Sequence, residues 1–224
     1  MLRFLPVSVA LVLVAVAAAG AAGPDLKSED HKTLYALGLV ISQNLTTFNL
    51  NPAELEAVLA GVSDGVLKKE SQVDIKTYGP KIPALQTARA GAAAAVEKKA
   101  GQAFLDKASA EKGATRTASG MIITTLKAGT GASPKAADRV KVHYHGTLAD
   151  GTVFDSSVQR GEPIVLPLNN VIRCWTEGVQ QMKVGGKSRL VCPSDIAYGD
   201  QGRPPVIKPG ATLVFEVELI DIVK

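Results

Sequence analysis

The residues of greatest chemical interest lie in the second half of the chain, where aromatic and apolar side chains accompany a single acid. They are Tyr144, Phe154, Asp155, Val171, Ile172, Trp175, Tyr198 and Phe215, and Trp175 is the chain's only tryptophan. Taken singly, each aromatic residue would most simply belong to the core of a β-sheet domain. As a set they combine apolar and aromatic side chains with one acid, and no nucleophile stands beside a base.

Other groupings of reactive residues are incomplete. Residues 185–188 (Gly-Gly-Lys-Ser) end like a phosphate-binding loop, but Gln181 stands where that loop requires glycine. His143 and His145 share one face of a predicted strand and could supply two metal ligands, but without a third nearby we favour solvent-facing histidines. The sequence therefore indicates chemistry that needs no metal, cofactor or covalent intermediate.

Composition limits the class of protein and its partners. The 224 residues are 46% hydrophobic and 21% charged, which excludes a disordered polar chain. The 25 basic residues exceed the 21 acidic ones only slightly, and no basic block is present. We therefore expect no nucleic-acid partner.

The N-terminus has the layout of a signal for export. Within residues 1–22, Arg3 precedes a short apolar run and then a group of small residues that ends at Ala22. This pattern predicts a cleaved secretory signal peptide. The alternative is an uncleaved membrane anchor, although the apolar run is short for a membrane span.

If the protein is exported, its two cysteines could form a disulfide, because an extracytoplasmic compartment can be oxidising. Cys174 and Cys192 are 18 positions apart. A disulfide closing a loop of that length would stabilise the fold by about 3 kcal/mol on the chain-entropy estimate. Two separate buried thiols are the alternative, and we favour the disulfide slightly.

The first half of the mature chain has helical periodicity. One helix is predicted to begin at Ser28, and a second follows Asn51-Pro52 with Glu54 in its first turn. After a polar connection over 71–79, an alanine-rich segment runs from about 80 to 112. With so few bulky apolar residues it predicts one long, solvent-exposed spacer helix, or else two helices broken at Gly91 or Gly101.

The two helices before the spacer are too short to build a core of their own. They cover about 40 residues and carry wide apolar faces, and domains of that size usually need additional support. Burial against a second copy of the chain would supply it. We therefore predict a homodimer formed by the N-terminal helices.

After a Gly-containing linker at 113–119, the hydrophobic period changes from helical to alternating. Val140, Val142 and Tyr144 alternate with polar residues, and another strand covers 213–219. One short helix is expected over 170–182. The predicted fold class is α+β: an all-α region over 23–112 and an antiparallel sheet with one helix over 120–224.

Six sequence motifs in this second region agree with one known family. They are 140–148 (VKVHYHGTL), 150–157 (DGTVFDSS), 171–178 (VIRCWTEG), 182–187 (MKVGGK), 197–199 (AYG) and 209–215 (PGATLVF). In order and spacing the segment resembles the FKBP-type peptidyl-prolyl cis-trans isomerases, also called rotamases. Residues 34–38 (LYALG) and 76–80 (KTYGP) resemble the helical dimerisation region of the family's Mip/FkpA-like bacterial branch.

The resemblance implies a β half-barrel wrapped on a short helix, with a substrate pocket between them. Trp175 would form its floor, Asp155 and Tyr198 would supply polar groups, and the backbone N–H of Ile172 would act as a donor. The implied lining residues are Tyr144, Phe154, Ile164, Leu166, Val171, Ile172, Ile207 and Phe215. Ile164 stands where an aromatic residue is common, and Arg203 lies in a variable loop, which puts substrate preference in doubt.

The resemblance also implies a setting for the activity. An isomerase of this branch would act on unfolded or proline-containing polypeptides in the periplasm, or as a secreted or outer-membrane-associated protein. It would bind FK506-like macrolide inhibitors and would also serve as a chaperone. The rival hypothesis is a non-catalytic holdase, in which paired apolar pockets of a dimer grip unfolded chains.

Overall fold

A computed structural model describes residues 26–223, so the signal peptide predicted over 1–22 lies outside the described residues. The chain divides into two compact units after Val40. None of the helices within residues 26–223 combines the length and the apolar character that crossing a membrane requires.

The first helix begins where the sequence predicts it. Helix α1 (Glu29–Ser42) follows Ser28, whose hydroxyl accepts a hydrogen bond of 3.1 Å from the backbone N–H of His31. The chain continues in a 3₁₀ turn over Gln43–Phe48 and reverses at Asn49, which has a φ of 47°. Leu34 and Leu37 of α1 are more than half exposed.

Helix α2 (Pro52–Val66) has the predicted start. The Asn51 side chain accepts from the backbone N–H of Glu54, and the Glu54 carboxylate accepts from the backbone N–H of Asn51. Four large apolar residues of this helix are exposed: Leu55, Leu59, Val62 and Val66.

The connection over 71–79, predicted as merely polar, contains a further short helix. Helix α3 (Ile75–Tyr78) leads into a 3₁₀ turn over Gly79–Lys81. It forms because the Asp74 carboxylate accepts from the backbone N–H of Lys76 and the hydroxyl of Thr77.

Helix α4 (Ile82–Ser109) is continuous through Gly91 and Gly101. The alternative of two helices broken at one of these glycines is therefore wrong. Its 28 residues span about 42 Å at about 1.5 Å per residue. Arg89 pairs with the carboxylate of Glu54 in α2, and Gln86 donates a 3.0 Å hydrogen bond to the hydroxyl of Thr47.

The prediction that this helix is a solvent-exposed spacer is wrong for one of its faces. The face consists of Ala90, Ala94, Gly101, Leu105 and Ala108, all buried. The last two pack in one cluster with apolar residues of the sheet. The sequence argument counted only bulky side chains, whereas small residues let the helix backbone approach its neighbour closely.

The remaining elements form a seven-stranded antiparallel sheet with two helices. They are β1 (Ala114–Arg116), β2 (Ile122–Lys127), β3 (Arg139–Leu148), β4 (Val153–Ser156), α5 (Ser157–Arg160), β5 (Ile164–Pro167), α6 (Arg173–Gln180), β6 (Lys187–Cys192) and β7 (Leu213–Val223). The strand order is β1-β2-β6-β7-β3-β4, and β5 pairs with β3. The predicted α+β class is confirmed.

The segment over 113–119, predicted as a linker, contributes a strand to the sheet. Strand β1 pairs with β2, with Thr115 opposite Ile123. It forms because backbone groups just after α4 find hydrogen-bond partners on the sheet edge. The predicted domain limits of 23–112 and 120–224 stay predictions.

The core lies between one face of the sheet and α6. Val140, Val142 and Tyr144 are buried there, and Cys174, Trp175 and Val179 of α6 pack against them. Helix α6 is shorter than the predicted segment 170–182, because a 3₁₀ turn over Leu168–Asn170 and extended residues precede it.

A disulfide joins this helix to the sheet. Cys174 of α6 and Cys192 of β6 are bonded, with their Cα atoms 5.8 Å apart, and both are fully buried. Closing a loop of 18 residues is expected to stabilise the fold by about 3 kcal/mol. The bond fixes the turn of α6 that carries Trp175.

The two glycines of α4 provide a test of how this helix packs. A Cβ added at Gly101 would lie 2.4 Å from Thr212 Oγ1, whereas one added at Gly91 would meet nothing within 4 Å among residues 26–223. We expect Gly91→Ala to raise the free energy of unfolding by about 0.5–1 kcal/mol through helix propensity. Gly101→Ala should lower it by about 1–3 kcal/mol through the clash.

Urea denaturation of both variants beside the wild type measures these free energies. Gly91→Ala is the matched control, because the substitution and the helix are the same. Equal stabilisation by both changes would contradict the close packing of α4 on Thr212.

Candidate active site

Residues from the sheet, α6 and two loops line a cavity of about 770 Å³. All eleven residues that the sequence predicted as site residues line it: Tyr144, Phe154, Asp155, Ile164, Leu166, Val171, Ile172, Trp175, Tyr198, Ile207 and Phe215. Further lining residues were not among them: Asn169, Asn170, Arg203, Pro204, Pro205 and Val206.

One wall of the cavity is built from aromatic rings packed edge to face. The Trp175 ring lies 5.3 Å from that of Tyr144 and 5.4 Å from that of Phe215, and Phe154 is a further 5.4 Å from Phe215. Trp175 is 4% exposed. Four rings in this arrangement make a rigid wall from which water is largely excluded.

One glycine of β3 makes this packing feasible. A Cβ at Gly146 would lie 2.7 Å from Cζ of Phe154 and 3.2 Å from Cε1 of Phe215. The two rings meet over a position that has no side chain. Gly146 lies in the motif 140–148, but the sequence does not show that two rings pack over it.

The polar side of the cavity is a group of three linked residues. The Tyr144 hydroxyl donates to one oxygen of Asp155, and Arg160 pairs with the other oxygen. Arg160 Nη2 also donates to the Tyr144 oxygen over 3.0 Å. Asp155 is therefore neutralised by a cation beside the cavity.

Sequence reasoning missed Arg160. The residue ends α5, a single turn that begins because the Ser156 hydroxyl accepts from the backbone N–H of Gln159 over 3.2 Å. This cap brings Arg160 back toward Asp155. A capping serine directly after the acid was the available signal, but it identifies a helix start and not an ion pair.

Short elements position the remaining walls. On β5, Ile164 and Leu166 face the cavity while Val165 between them is 43% exposed. The loop that carries Ile207 is closed by backbone hydrogen bonds in both directions between Arg203 and Ile207, at 2.7 and 3.1 Å. Ile207 itself is buried.

Known proteins resemble the chain along most of its length. A family model described as "FKBP-type peptidyl-prolyl cis-trans isomerase" matches residues 131–220, and one described as "Domain amino terminal to FKBP-type peptidyl-prolyl isomerase" matches 30–122. FkpA of Aeromonas hydrophila is 42% identical over 212 residues, which cover 89% of this chain and 79% of that protein. The chain belongs to the FKBP-type peptidyl-prolyl cis-trans isomerases.

Two further relatives extend this result. A 22 kDa FKBP-type isomerase of Escherichia coli is 37% identical over 89% of this chain and 98% of its own. The crystal structure of FkpA from Escherichia coli superposes with a TM-score of 0.64 and 34% identity, covering 88% of this chain and 97% of that one. The resemblance seen in the sequence is confirmed, and the protein is an enzyme of this class.

The two titratable groups Asp155 and Tyr144 of the isomerase cavity keep the same protonation state around neutral pH. Burial raises the pKa of the Asp155 carboxyl, but hydrogen bonds from Tyr144 and Arg160 outweigh it, so the pKa lies below its usual 3.8. Burial and the Asp155 carboxylate raise the pKa of Tyr144 above 10.0. Asp155 is therefore a weak proton acceptor, which argues against a role as general base.

The two histidines of β3 lie apart from the cavity. They alternate with Tyr144 and face the other side of the sheet, where Nδ1 of His143 is 3.1 Å from the Ser157 hydroxyl and Nδ1 of His145 is 3.0 Å from that of Ser156. The described residues contain no cluster of three or more acidic, histidine or cysteine side chains suited to a metal ion.

These pKa directions predict a flat pH profile. Because Asp155 ionises below pH 3.8 and Tyr144 above pH 10.0, neither changes charge between about pH 5 and 9. We expect kcat/KM for an X-Pro peptide to be constant over this range and to fall only as Asp155 becomes protonated at lower pH.

Direct observation of the cis and trans peptide signals by NMR measures the rate without a coupling protease. Non-enzymatic exchange at each pH is the control. A bell-shaped profile with a limb near neutral pH would contradict the assignment, since it would require a titrating acid or base.

Proposed function

We propose that the cavity accelerates rotation about X-Pro bonds without covalent chemistry, by surrounding the bond with apolar rings. The observation that carries this proposal is the packing of Trp175 between Tyr144 and Phe215, which makes a dry floor. The one acid at the cavity is paired with Arg160 and supplies no free base.

The reduction in the rotation barrier that catalysis requires is compatible with a non-covalent mechanism. Rotation about the peptide bond faces a barrier of about 18–20 kcal/mol because resonance is lost on twisting. Uncatalysed exchange takes about 10–100 s at 25 °C. A turnover of about 100 per second is roughly a 10³- to 10⁴-fold acceleration, so the barrier must fall by roughly 4–5.5 kcal/mol at about 1.36 kcal/mol for each tenfold in rate.

A dry cavity can lower the barrier because the planar amide is more polar than the twisted one. Removing water destabilises the planar ground state relative to the transition state. In this proposal Trp175 holds the proline ring, while the backbone N–H of Ile172 and the hydroxyl of Tyr198 hold the chain beside it. Asp155 acts as electrostatic support.

The apolar lining residues would contact the flanking substrate residues. Ile164, Leu166, Val171 and Ile207 lie around the aromatic floor, and Phe154 and Phe215 close one side of it. Because these contacts are apolar and non-directional, this part of the cavity would accept many sequences around proline. FK506-like macrolides would compete for the same cavity.

Removal of the indole is the direct test of this proposal. We expect Trp175→Leu to lower kcat/KM for an X-Pro tetrapeptide at least tenfold, equivalent to about 1.4 kcal/mol of transition-state stabilisation. Leucine keeps an apolar side chain at a buried position, and the thermal midpoint checks that the variant folds. A protease-coupled assay, with and without an FK506-like macrolide, measures the rate.

Val165→Ala is the matched control, since Val165 lies between two lining residues but points away from the cavity. It should leave kcat/KM unchanged. Full turnover by both Trp175→Leu and Asp155→Ala would overturn the assignment of this cavity.

We further propose that the protein forms a homodimer through its N-terminal helices. The support is the exposure of large apolar residues on α2, where Leu59 is 55% and Val66 is 74% exposed, and on α1, where Leu34 is 61% exposed. Isolated chains rarely leave so many apolar side chains in water. A dimer would bury them and bring two cavities into one particle.

This arrangement would support a second function, the holding of unfolded chains. Once an unfolded chain has bound one cavity of a dimer, the second cavity is held nearby at a high effective concentration and binds the same chain more readily. The apolar residues of α1 and α2 favour this reading, since any of them left uncovered in the dimer would also attract unfolded chains.

A charge placed in α2 tests the dimer and this second function together. We expect Leu59→Lys to yield a monomer in sedimentation at micromolar concentration, because a lysine cannot be buried in an apolar interface without cost. The variant should retain tetrapeptide turnover and lose most protection of a proline-free client from aggregation.

Ala57→Lys is the control, because Ala57 is exposed on the other side of the same helix. It should remain dimeric and protective. A wild-type protein that sediments as a monomer would refute the dimer, and full protection by a monomeric Leu59→Lys would refute the role of paired cavities.

The proposed setting is protein folding outside the cytoplasm, in the periplasm or as a secreted or outer-membrane-associated protein. It is supported by the signal-like sequence of residues 1–22 and by the disulfide between Cys174 and Cys192, since such bonds persist in oxidising compartments.

A further inference from the structure

One face of α4 contacts the two segments that carry Tyr198 and lead into Phe215. The contacts come from Ala94, Lys98 and Gly101, which are spaced by four and three residues and so share a helix face. We call these three residues the clamp. Their partners lie in the stretch from Ser194 to Thr212, which borders the cavity.

Lys98 supplies the charged contact of the clamp. Its ammonium lies 2.8 Å from Oδ1 of Asp195 and 2.7 Å from Oδ1 of Asp200, and these hydrogen bonds raise its pKa. The two aspartates flank Tyr198, three residues before it and two residues after it. Without this cation between them, the two carboxylates would repel each other, which favours displacement of the loop that carries Tyr198.

The other two contacts are steric, and they tie the second segment to the first. A Cβ on Gly210 would lie 2.4 Å from the carbonyl oxygen of Ala94, and one on Gly101 would lie 2.4 Å from the Thr212 hydroxyl. The backbone N–H of Gly210 donates to the carbonyl of Gly199 over 2.9 Å. The position of α4 therefore constrains the residues directly after Tyr198.

We propose that Lys98 is a positioning residue of the isomerase, which fixes Tyr198 at the cavity by holding Asp195 and Asp200 against α4. This proposal rests on the proposed function, because it takes the Tyr198 hydroxyl to hold the substrate chain. It assigns a part in the reaction to a helix from the region amino-terminal to the isomerase domain.

The ion pairs are too exposed to act chiefly through stability. Lys98 is 38% exposed, Asp195 75% and Asp200 55%. Pairs of this kind contribute little to the free energy of unfolding, since water already solvates the separated charges. An effect of Lys98 on turnover at unchanged stability would therefore report its effect on the site.

The test is Lys98→Met, which keeps the long aliphatic chain and removes the charge. We expect kcat/KM for an X-Pro tetrapeptide to fall about three- to tenfold while the thermal midpoint changes little. Lys98→Arg, which can still bridge two carboxylates, should restore most of the activity. Lys99→Met is the matched control, because Lys99 is exposed and forms no ion pair within residues 26–223.

A double-mutant cycle with Tyr198→Phe separates positioning from a general structural effect. If Lys98 acts through the Tyr198 hydroxyl, adding Lys98→Met to Tyr198→Phe should cause little further loss. Equal activity of Lys98→Met and the wild type, or losses that multiply in the double variant, would overturn the proposal. Failure of the cavity assignment is distinguishable, because Trp175→Leu would then retain full turnover.

Discussion

The structure depends on keeping one indole fixed and dry. Trp175 lies against Tyr144 of β3 and Phe215 of β7, two strands that are neighbours in the sheet. The approach of the Phe154 ring to that of Phe215 requires a glycine at position 146, and the turn of α6 that presents the indole is bonded to β6 through Cys174. The order of the strands, the glycine at position 146 and the disulfide therefore all help to hold the aromatic floor rigid. A rigid, closely packed floor leaves no room for water.

An apolar environment disfavours an ionised carboxylate, and in this isomerase the guanidinium of Arg160 offsets that cost for Asp155. Asp155 is partly withdrawn from water, which opposes ionisation, but Tyr144 and Arg160 together lower its pKa. The group as a whole carries no net charge, so the field in the cavity is that of a dipole and not of an isolated anion. Such a field can orient a carbonyl as it rotates without binding a proton or a stray cation.

The sequence predicted those parts of the fold that follow from local periodicity. The alternation of Val140, Val142 and Tyr144, and the Asn51–Glu54 cap, depend on neighbours along the chain and were found as expected. The pairing of Arg160 with Asp155 and the burial of Gly101 on Thr212 depend on chain reversals and close approach. Small residues and single surface charges carry almost no periodic signal. The alanine-rich sequence of α4 therefore predicts an exposed helix, whereas the helix packs through its smallest residues.

The close packing of α4 on the sheet limits how this helix can move relative to the isomerase cavity. A helix that merely preceded the isomerase domain could vary in length and direction without effect on the reaction. A helix that meets the sheet through Leu105 and Ala108 cannot rotate, because these side chains are buried in a cluster with Val191 and Val214. Further along the same face, Lys98 reaches the loop of Tyr198. A displacement of α4 would therefore reach the loop of Tyr198 through packed atoms and ion pairs.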